Sequence, residues 1–427
     1  MHCWSGSVDA ELVVAEGDIA KLVSDFRTLI PAGSDVANTV AAIVADVRAR
    51  GDAALAEYTS RFDLGGGPAP ALEVPAQLIA DAAGQLDPAV RLALELAIDN
   101  VGAVGEAAVN PDVTVSRNGA TVKVKEAPVS SAAVYVPGGR APYPSTVVMG
   151  VTTARAAGVG DVVVCSPPTD DEEINHVILA ACWLTGVRAV YRMGGAQSIA
   201  ALAYGTQTIQ PVDVIVGPGN LYVQEAKRQV SARVGLDGFA GPSDLLVIAD
   251  PNADPGPITL DLLAQAEHGP GTLVLAASTS RELLTALADG IGQSANTGAV
   301  CRLIELQNQS QAFELAQAFA PEHLQLIGTE AEALADVVTR AGSVFVGADA
   351  GTAFGDYIAG SNHILPTDGA ARFASSLSAR TFRRTFTEVR VTDPTTLAQA
   401  AAPLARAEGF ERHAQSMEAR IRDNRGR

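Results

Sequence analysis

The sequence predicts an α/β protein built from two doubly wound units that face one another. Three observations carry this. From Ala132 onward, short apolar runs alternate with helical stretches, as in βαβ units. A similar cycle restarts at Leu245, so the pattern occurs twice. Runs such as Val162-Val163-Val164 show no polar alternation, as expected of parallel strands covered on both faces. A chain of 427 residues has room for two or three domains and for a large core.

In chain order, residues 1–33 form an N-terminal segment, and Met1 to Val14 lack the charged start and long apolar run of a signal peptide. Residues 34–62 read as two helices. Ser34 or Asp35 caps the first, and Val36, Val40, Ile43 and Val47 mark its apolar face. Gly51 stops it, and Leu55, Tyr58 and Phe62 mark the second. Gly65-Gly66-Gly67-Pro68 is a loop, and a further helix fits Pro88 to about Glu106. Val113 and Val115, the turn pair Asn118-Gly119, then Val122 and Val124 predict a hairpin. Strands are expected at 132–136, 161–165, 188–193 and 212–216, and again at 245–249, 272–277, 302–306, 323–327 and 343–347. On this reading 34–131 and 245–380 form a first, discontinuous α/β domain, 132–244 a second, and 381–427 a helical, charged tail.

Thirty basic against 48 acidic residues leave a net charge of −18. That excludes a general nucleic-acid binder, which needs basic surface, and a polybasic membrane anchor. No run of 18 apolar residues is free of charges and turn residues. Cys3, Cys165, Cys182 and Cys301 include no C-x-x-C pair. Reduced thiols in a cytoplasmic protein are the reading.

A G-x-G-x-x-G fingerprint followed by an acidic residue is missing, so any Rossmann-like domain is non-standard. Three glycine turns nevertheless follow expected strands: Pro137-Gly138-Gly139, Gly194-Gly195-Ala196-Gln197 and Gly217-Pro218-Gly219-Asn220. They are either tight structural turns or places where an anionic ligand approaches the backbone.

His2 and His176 stand alone, whereas four other histidines have polar company. Gln265 and His268 lie three apart at a helix end, able to share one metal, or His268 caps the helix. Glu322-His323 opens a strand, as an acid–base pair or a solvated one. Asp356 and His363 lie in a loop of small residues, where Asp356 can be a hard oxygen ligand. His413, near Glu408 in the tail, closes a metal site or decorates a helix. A metal-dependent hydrolase is a second reading of these residues, weakened by the missing H-E-x-x-H.

Taken in order, eight segments resemble histidinol dehydrogenases: Tyr135-Val136-Pro137-Gly138-Gly139, Gly194-Gly195-Ala196-Gln197, Gly217-Pro218-Gly219-Asn220, Ala240-Gly241-Pro242-Ser243, Gln265-Ala266-Glu267-His268, Pro321-Glu322-His323-Leu324, Gly355-Asp356-Tyr357 and Asn362-His363-Ile364-Leu365-Pro366-Thr367. The resemblance spans about Val36 to His413 and implies two non-standard Rossmann-like domains. It implies oxidation of L-histidinol to L-histidine through the aldehyde, with two NAD reduced in sequence and one zinc per subunit. It makes Gln265, His268, Asp356 and His413 the zinc ligands, and Glu322 and His323 the catalytic pair. Ser243, Gln265, His268, His323, Asp356, Glu408 and His413 would contact substrate, and Tyr135, Gln197 and Asn220 would line the cofactor site. It further implies a homodimer in which the tail crosses to the partner's site. The residue types agree: an imidazole with pKa about 6.5 suits removal of a hydroxyl proton, and a carboxylate suits activation of water. Residues 1–33 carry no matched segment. Relatives that oxidise other small alcohols, such as sulfonated diols, and a catalytically silent metal-binding relative are the alternatives. Glu408, facing the substrate's nitrogens, favours histidinol.

Overall fold

The computed structural model describes residues 10–30, 35–138, 141–169, 172–187 and 189–421. The expected cap Ser34, Gly139 of the first glycine turn, His2 and Cys3 lie outside the described residues.

Two parallel sheets form the frame. The larger has six strands in the order Ala10–Val14, Val300–Glu305, Leu273–Ser278, Asp244–Ala249, His323–Ile327, Ser343–Val346. The smaller has five, in the order Val190–Arg192, Asp161–Ser166, Ser131–Tyr135, Val214–Val216, Gly235–Leu236. Each is doubly wound. The chain runs outward from a central strand, then returns to that strand's other side. The larger sheet therefore reverses between Asp244–Ala249 and His323–Ile327. The smaller reverses between Ser131–Tyr135 and Val214–Val216.

The unbroken apolar runs are buried on both faces, and successive residues feed opposite cores. In the smaller sheet Ala132, Val134, Val162 and Val164 enter one cluster. Ala133, Tyr135, Val163 and Cys165 enter the other. This is the two-residue period of a strand covered on both sides. In the larger sheet Leu246 and Ile248 pack with Phe26, Leu315 and Phe319, while Leu245 and Val247 pack with Ile258, Leu262 and Leu284.

Three points correct the expectations or add to them. The helices Ala37–Arg50 and Asp52–Phe62 were assigned to the 245–380 unit, but Val40, Val47 and Leu55 pack on the smaller sheet with Ile199 and Val223. Helices Ala76–Gly84 and Pro88–Ala107 cover its opposite face, with Ile79, Leu94 and Val101 against Val148, Met149 and Ile178. Periodicity shows which face of a helix is apolar, not which sheet receives it. Second, the N-terminal segment contributes the edge strand Ala10–Val14, paired with Val300–Glu305, and the helix Ile19–Thr28. Third, the start of the tail is not helical. Arg383–Val391 is a strand that pairs antiparallel with Ala120–Pro128, whose other neighbour is the hairpin strand Val113–Arg117. The β-branched and aromatic residues of this strand alternate with charges, so its mean polarity conceals a β pattern. The rest of the tail is helical, at Pro394–Ala407 and Glu411–Glu418. Among the described residues no helix is long and apolar enough to cross a membrane.

Asp63, just after helix Asp52–Phe62, has a buried Oδ2 without a hydrogen-bond partner among the described residues, and burial pushes its carboxyl up to about 6. A carboxyl raised above its unfolded value, about 4, costs stability as pH rises through that window. Asp63→Asn should therefore leave stability at pH 4 nearly unchanged and raise it at pH 8 by up to about 3 kcal/mol. Urea unfolding at both pH values checks this, and an equal effect at both would refute it.

Candidate active site

Glu322 and His323 lie at the amino end of a strand next to Asp244–Ala249 in the larger sheet. Ser243 precedes Asp244–Ala249, and Glu322 precedes His323–Ile327; in register, His323 stands beside Leu245. Ligands in open α/β sheets ordinarily collect at carboxyl ends. Here two carboxylates hold the amino ends together. Asp244 Oδ1 accepts the Glu322 N–H at 2.6 Å, and Glu322 Oε2 accepts the Asp244 N–H at 3.0 Å. Each side chain thus caps the other strand's first amide.

A hydrogen-bonded run extends from this pair. Gln265 Nε2 donates to Ser243 Oγ at 2.6 Å, and Ser243 Oγ donates to Glu322 Oε2 at 2.5 Å. Glu322 Oε2 lies 3.9 Å from His323 Nδ1, and His323 Nε2 lies 3.3 Å from Asp356 Oδ1. The His323 ring stacks against Phe345, with centroids 5.8 Å apart. Its buried Nδ1 has no hydrogen-bond partner among the described residues. Gln265 is buried near the end of helix Pro255–Ala266, which Asp254 caps. His268 follows on the next turn, open to solvent on its outer side.

Burial pushes the Glu322 carboxyl up, and the neighbouring Asp244 charge adds to this. Burial alone would push His323 down. The carboxylates of Glu322, Asp356 and Asp244 outweigh it and hold the imidazole above its usual range. Burial would raise Asp356, but His323 beside it keeps its carboxyl low. Burial of its inner side lowers the His268 imidazole below its usual range, towards the neutral form that ligates metals.

Asp356 lies in the short helix Thr352–Tyr357 rather than in the expected loop, and the segment 358–367 that follows joins this cluster to the smaller sheet's unit. His363 Nδ1 donates to the Asp356 carbonyl at 2.9 Å, and its Nε2 lies 3.4 Å from Thr146 Oγ1. Asn362 Nδ2 donates to the Met149 carbonyl and Thr153 Oγ1, both at 3.2 Å. Met149 lies in a π-helical turn, Val148–Thr152, a distortion frequent at functional sites.

The three candidate cofactor residues gather at the smaller sheet's carboxyl ends. Tyr135 Oη accepts the Gly195 N–H at 3.3 Å. Gln197 is buried, and its Nε2 has no partner among the described residues. Asn220 caps helix Leu221–Val230 by accepting the N–H groups of Tyr222 and Val223. The turns after Ser131–Tyr135 and Val214–Val216 flank the sheet's point of reversal, where ligands bind in such folds.

The structure therefore brings Ser243, Gln265, Glu322, His323 and Asp356 into one network. Glu408 and His413 are not part of it. Glu408 caps the C-terminus of Pro394–Ala407, and His413 sits exposed on the last helix, its ring 5.1 Å from Phe410. Among the described residues no three His, Cys, Asp or Glu side chains are grouped to hold a metal ion. Sequence reasoning missed Asp244, although it adjoins Ser243, and gave His363 no role. It had no signal for Arg27, which comes from the unmatched segment and lies 3.5 Å from Asp244.

The family model for histidinol dehydrogenase matches residues 31–421. A histidinol dehydrogenase of Parasynechococcus marenigrum is 41% identical over 421 residues, covering 95% of each chain. One from Ruegeria pomeroyi is 42% identical over 404 residues, covering 91% of this chain and 92% of its own. The crystal structure of histidinol dehydrogenase from Elizabethkingia anophelis matches with a TM-score of 0.89 at 30% identity, covering 96% of this chain and 98% of that one. Matched over nearly its whole length in both sequence and fold, the chain belongs to the histidinol dehydrogenase family.

Proposed function

We propose that the chain oxidises L-histidinol to L-histidine through L-histidinaldehyde, with NAD as the acceptor of two successive hydrides, in the cytoplasm at the end of histidine biosynthesis. The run Gln265–Ser243–Glu322–His323–Asp356 carries this reading, because it sets two acid–base groups with different surroundings side by side.

His323 takes the hydroxyl proton as hydride leaves the adjacent carbon. Glu322 takes a proton from the water that adds to the aldehyde carbon. As the water adds, His323 returns its proton to the aldehyde oxygen; the hydrate then loses the second hydride to the second NAD, and His323, free again, takes a hydroxyl proton. Burial lifts the Glu322 carboxyl towards neutrality, which makes its ionised form a better base.

Tyr135, Gln197 and Asn220 would hold NAD. The orphaned, buried Nε2 of Gln197 supports the fit, since a ligand acceptor would complete it. Gln265, His268 and Asp356 offer oxygen, nitrogen and oxygen donors, a set suited to zinc and other divalent ions. When bound, zinc would hold the substrate by its imidazole and amino nitrogens. Ser243, Glu408 and His413 would also contact substrate. For His413 and Glu408 to do so, a second copy must deliver them. The tail helices pack chiefly on one another and expose Leu404 and Phe410, and the adjoining sheet exposes Val389 and Val391. Cover for this apolar surface by a second copy supports a homodimer with shared sites.

Absorbance at the NADH wavelength, with purified protein, NAD and L-histidinol, tests the reading before and after chelation. Turnover without NAD would point to hydrolysis instead. Full activity in metal-free protein, shown by elemental analysis, would remove the ligand roles. The shared site has its own test. His413→Ala and Asp356→Ala should each be inactive. Mixed in equal amounts under subunit exchange, half the dimers are mixed and carry one intact site, so about a quarter of wild-type activity returns. No recovery after demonstrated exchange would refute sharing.

A further inference from the structure

Lys227 is 1% exposed, and the side chain of its carboxylate partner, Asp237, is nearly as buried. Together they hold the two peptide groups that flank the Gly217 Cα. Lys227 Nζ donates to the Gly217 carbonyl at 2.5 Å and to Asp237 Oδ1 at 2.7 Å. Asp237 Oδ2 accepts the Gly217 N–H at 2.7 Å. A buried ion pair is weak evidence for stability, because apolar side chains of similar volume pack as well or better. Its best-attested use is to specify one conformation.

Gly217 needs such specification. Its φ is +118°, and a Cβ there would lie 2.1 Å from the Tyr135 carbonyl oxygen. It opens the turn Gly217-Pro218-Gly219-Asn220, pressed against the strand that carries Tyr135 and leading directly to Asn220. Two further contacts hold the turn's far side. Gln224 Nε2 donates to the Gly219 carbonyl, and Gln224 Oε1 accepts the Ala240 N–H. The pair thus lies beneath a turn at the sheet's point of reversal, between two candidate cofactor residues.

We propose that Lys227 and Asp237 are positioning residues that fix the Gly217 peptide so that the turn to Asn220 receives the dinucleotide. The proposal rests on the reading of this crevice as the NAD site. Neither side chain touches the cofactor; both act through Gly217.

The experiment measures NADH binding by fluorescence titration on the full-length protein, together with steady-state kinetics. The proteins are wild type, Lys227→Met, Asp237→Asn, Lys227→Arg and the double variant Lys227→Met/Asp237→Leu, which replaces the pair with apolar groups. For Lys227→Met and the double variant, the Kd for NADH and the KM for NAD should rise at least about tenfold. The KM for histidinol should stay near its wild-type value. Asp237→Asn should fall in between, and Lys227→Arg should recover part of the affinity. A merely structural role predicts lower thermal stability with unchanged affinity per folded site. NADH affinity within about twofold of wild type in the folded variants overturns the proposal. So does loss of folding in every variant, which would assign the pair to the fold alone. Wild type that binds no NADH overturns the reading of the crevice itself, a separate result.

Discussion

His323→Asn should slow both oxidations by about 10²–10⁴-fold, whereas Glu322→Gln should fall mainly on the aldehyde step. The two residues are neighbours in sequence but occupy different surroundings. His323 faces carboxylates on two sides and stacks on Phe345, and its Nδ1 is left without a partner. Asparagine keeps a polar side chain there but cannot accept and release a proton near neutral pH. Glu322 is held by Ser243 and by the Asp244 amide. Glutamine has nearly the shape of the protonated acid, so the amino ends of the two strands should remain joined. Only the aldehyde step needs activated water, so only that step should depend on the Glu322 carboxylate. NADH formation from L-histidinol and from supplied aldehyde separates the two. If Glu322→Gln oxidises the aldehyde at the wild-type rate, the role given to Glu322 is wrong.

Arg27→Met should destabilise the protein by about 3–5 kcal/mol, because it leaves a buried carboxylate without its cation. Arg27 Nη1 lies 3.5 Å from Asp244, whose side chain is 1% exposed. Its Nη2 donates to the Phe319 carbonyl, and its guanidinium lies 4.5 Å from that ring's centre. The closer contact, to Asp368 at 2.7 Å, faces solvent and contributes little. Burial pushes the Asp244 carboxyl up to about 6 despite Arg27. A raised carboxyl costs stability as pH rises through its folded value, and losing Arg27 raises it further. The loss should therefore be larger at pH 8 than at pH 5. Asp244→Asn added to Arg27→Met should recover part of it at pH 8. Urea unfolding at both pH values decides, and a pH-independent loss would show that Asp244 is not what Arg27 neutralises.

Much of the fold is legible in local pattern. Strands expected at 161–165, 245–249 and 323–327 appear at Asp161–Ser166, Asp244–Ala249 and His323–Ile327. Continuous apolar runs between turn glycines have few alternatives. The hairpin turn was equally plain, and Asn118 and Gly119 both adopt positive φ. The strand Arg383–Val391 was not, because its side chains are mostly exposed and its partner lies more than 250 residues away.

The sequence by itself determined the order of the parallel strands between 132 and 347, the double winding and the residue types able to move protons or hold a metal. It placed Glu322 and His323 together because they are adjacent. Tertiary structure alone decided that Ser243, Gln265 and Asp356 join them, since hydrogen bonds across 22, 79 and 33 residues depend on which strand ends meet. It alone decided that the helices of 37–107 cover the smaller sheet, that Arg27 reaches Asp244, and that Lys227 and Asp237 close around Gly217. Hydrophobic periodicity records that a face must be buried, and it is silent about what buries it. Buried polar groups are satisfied by whatever the packing brings within about 3 Å, which no local pattern encodes.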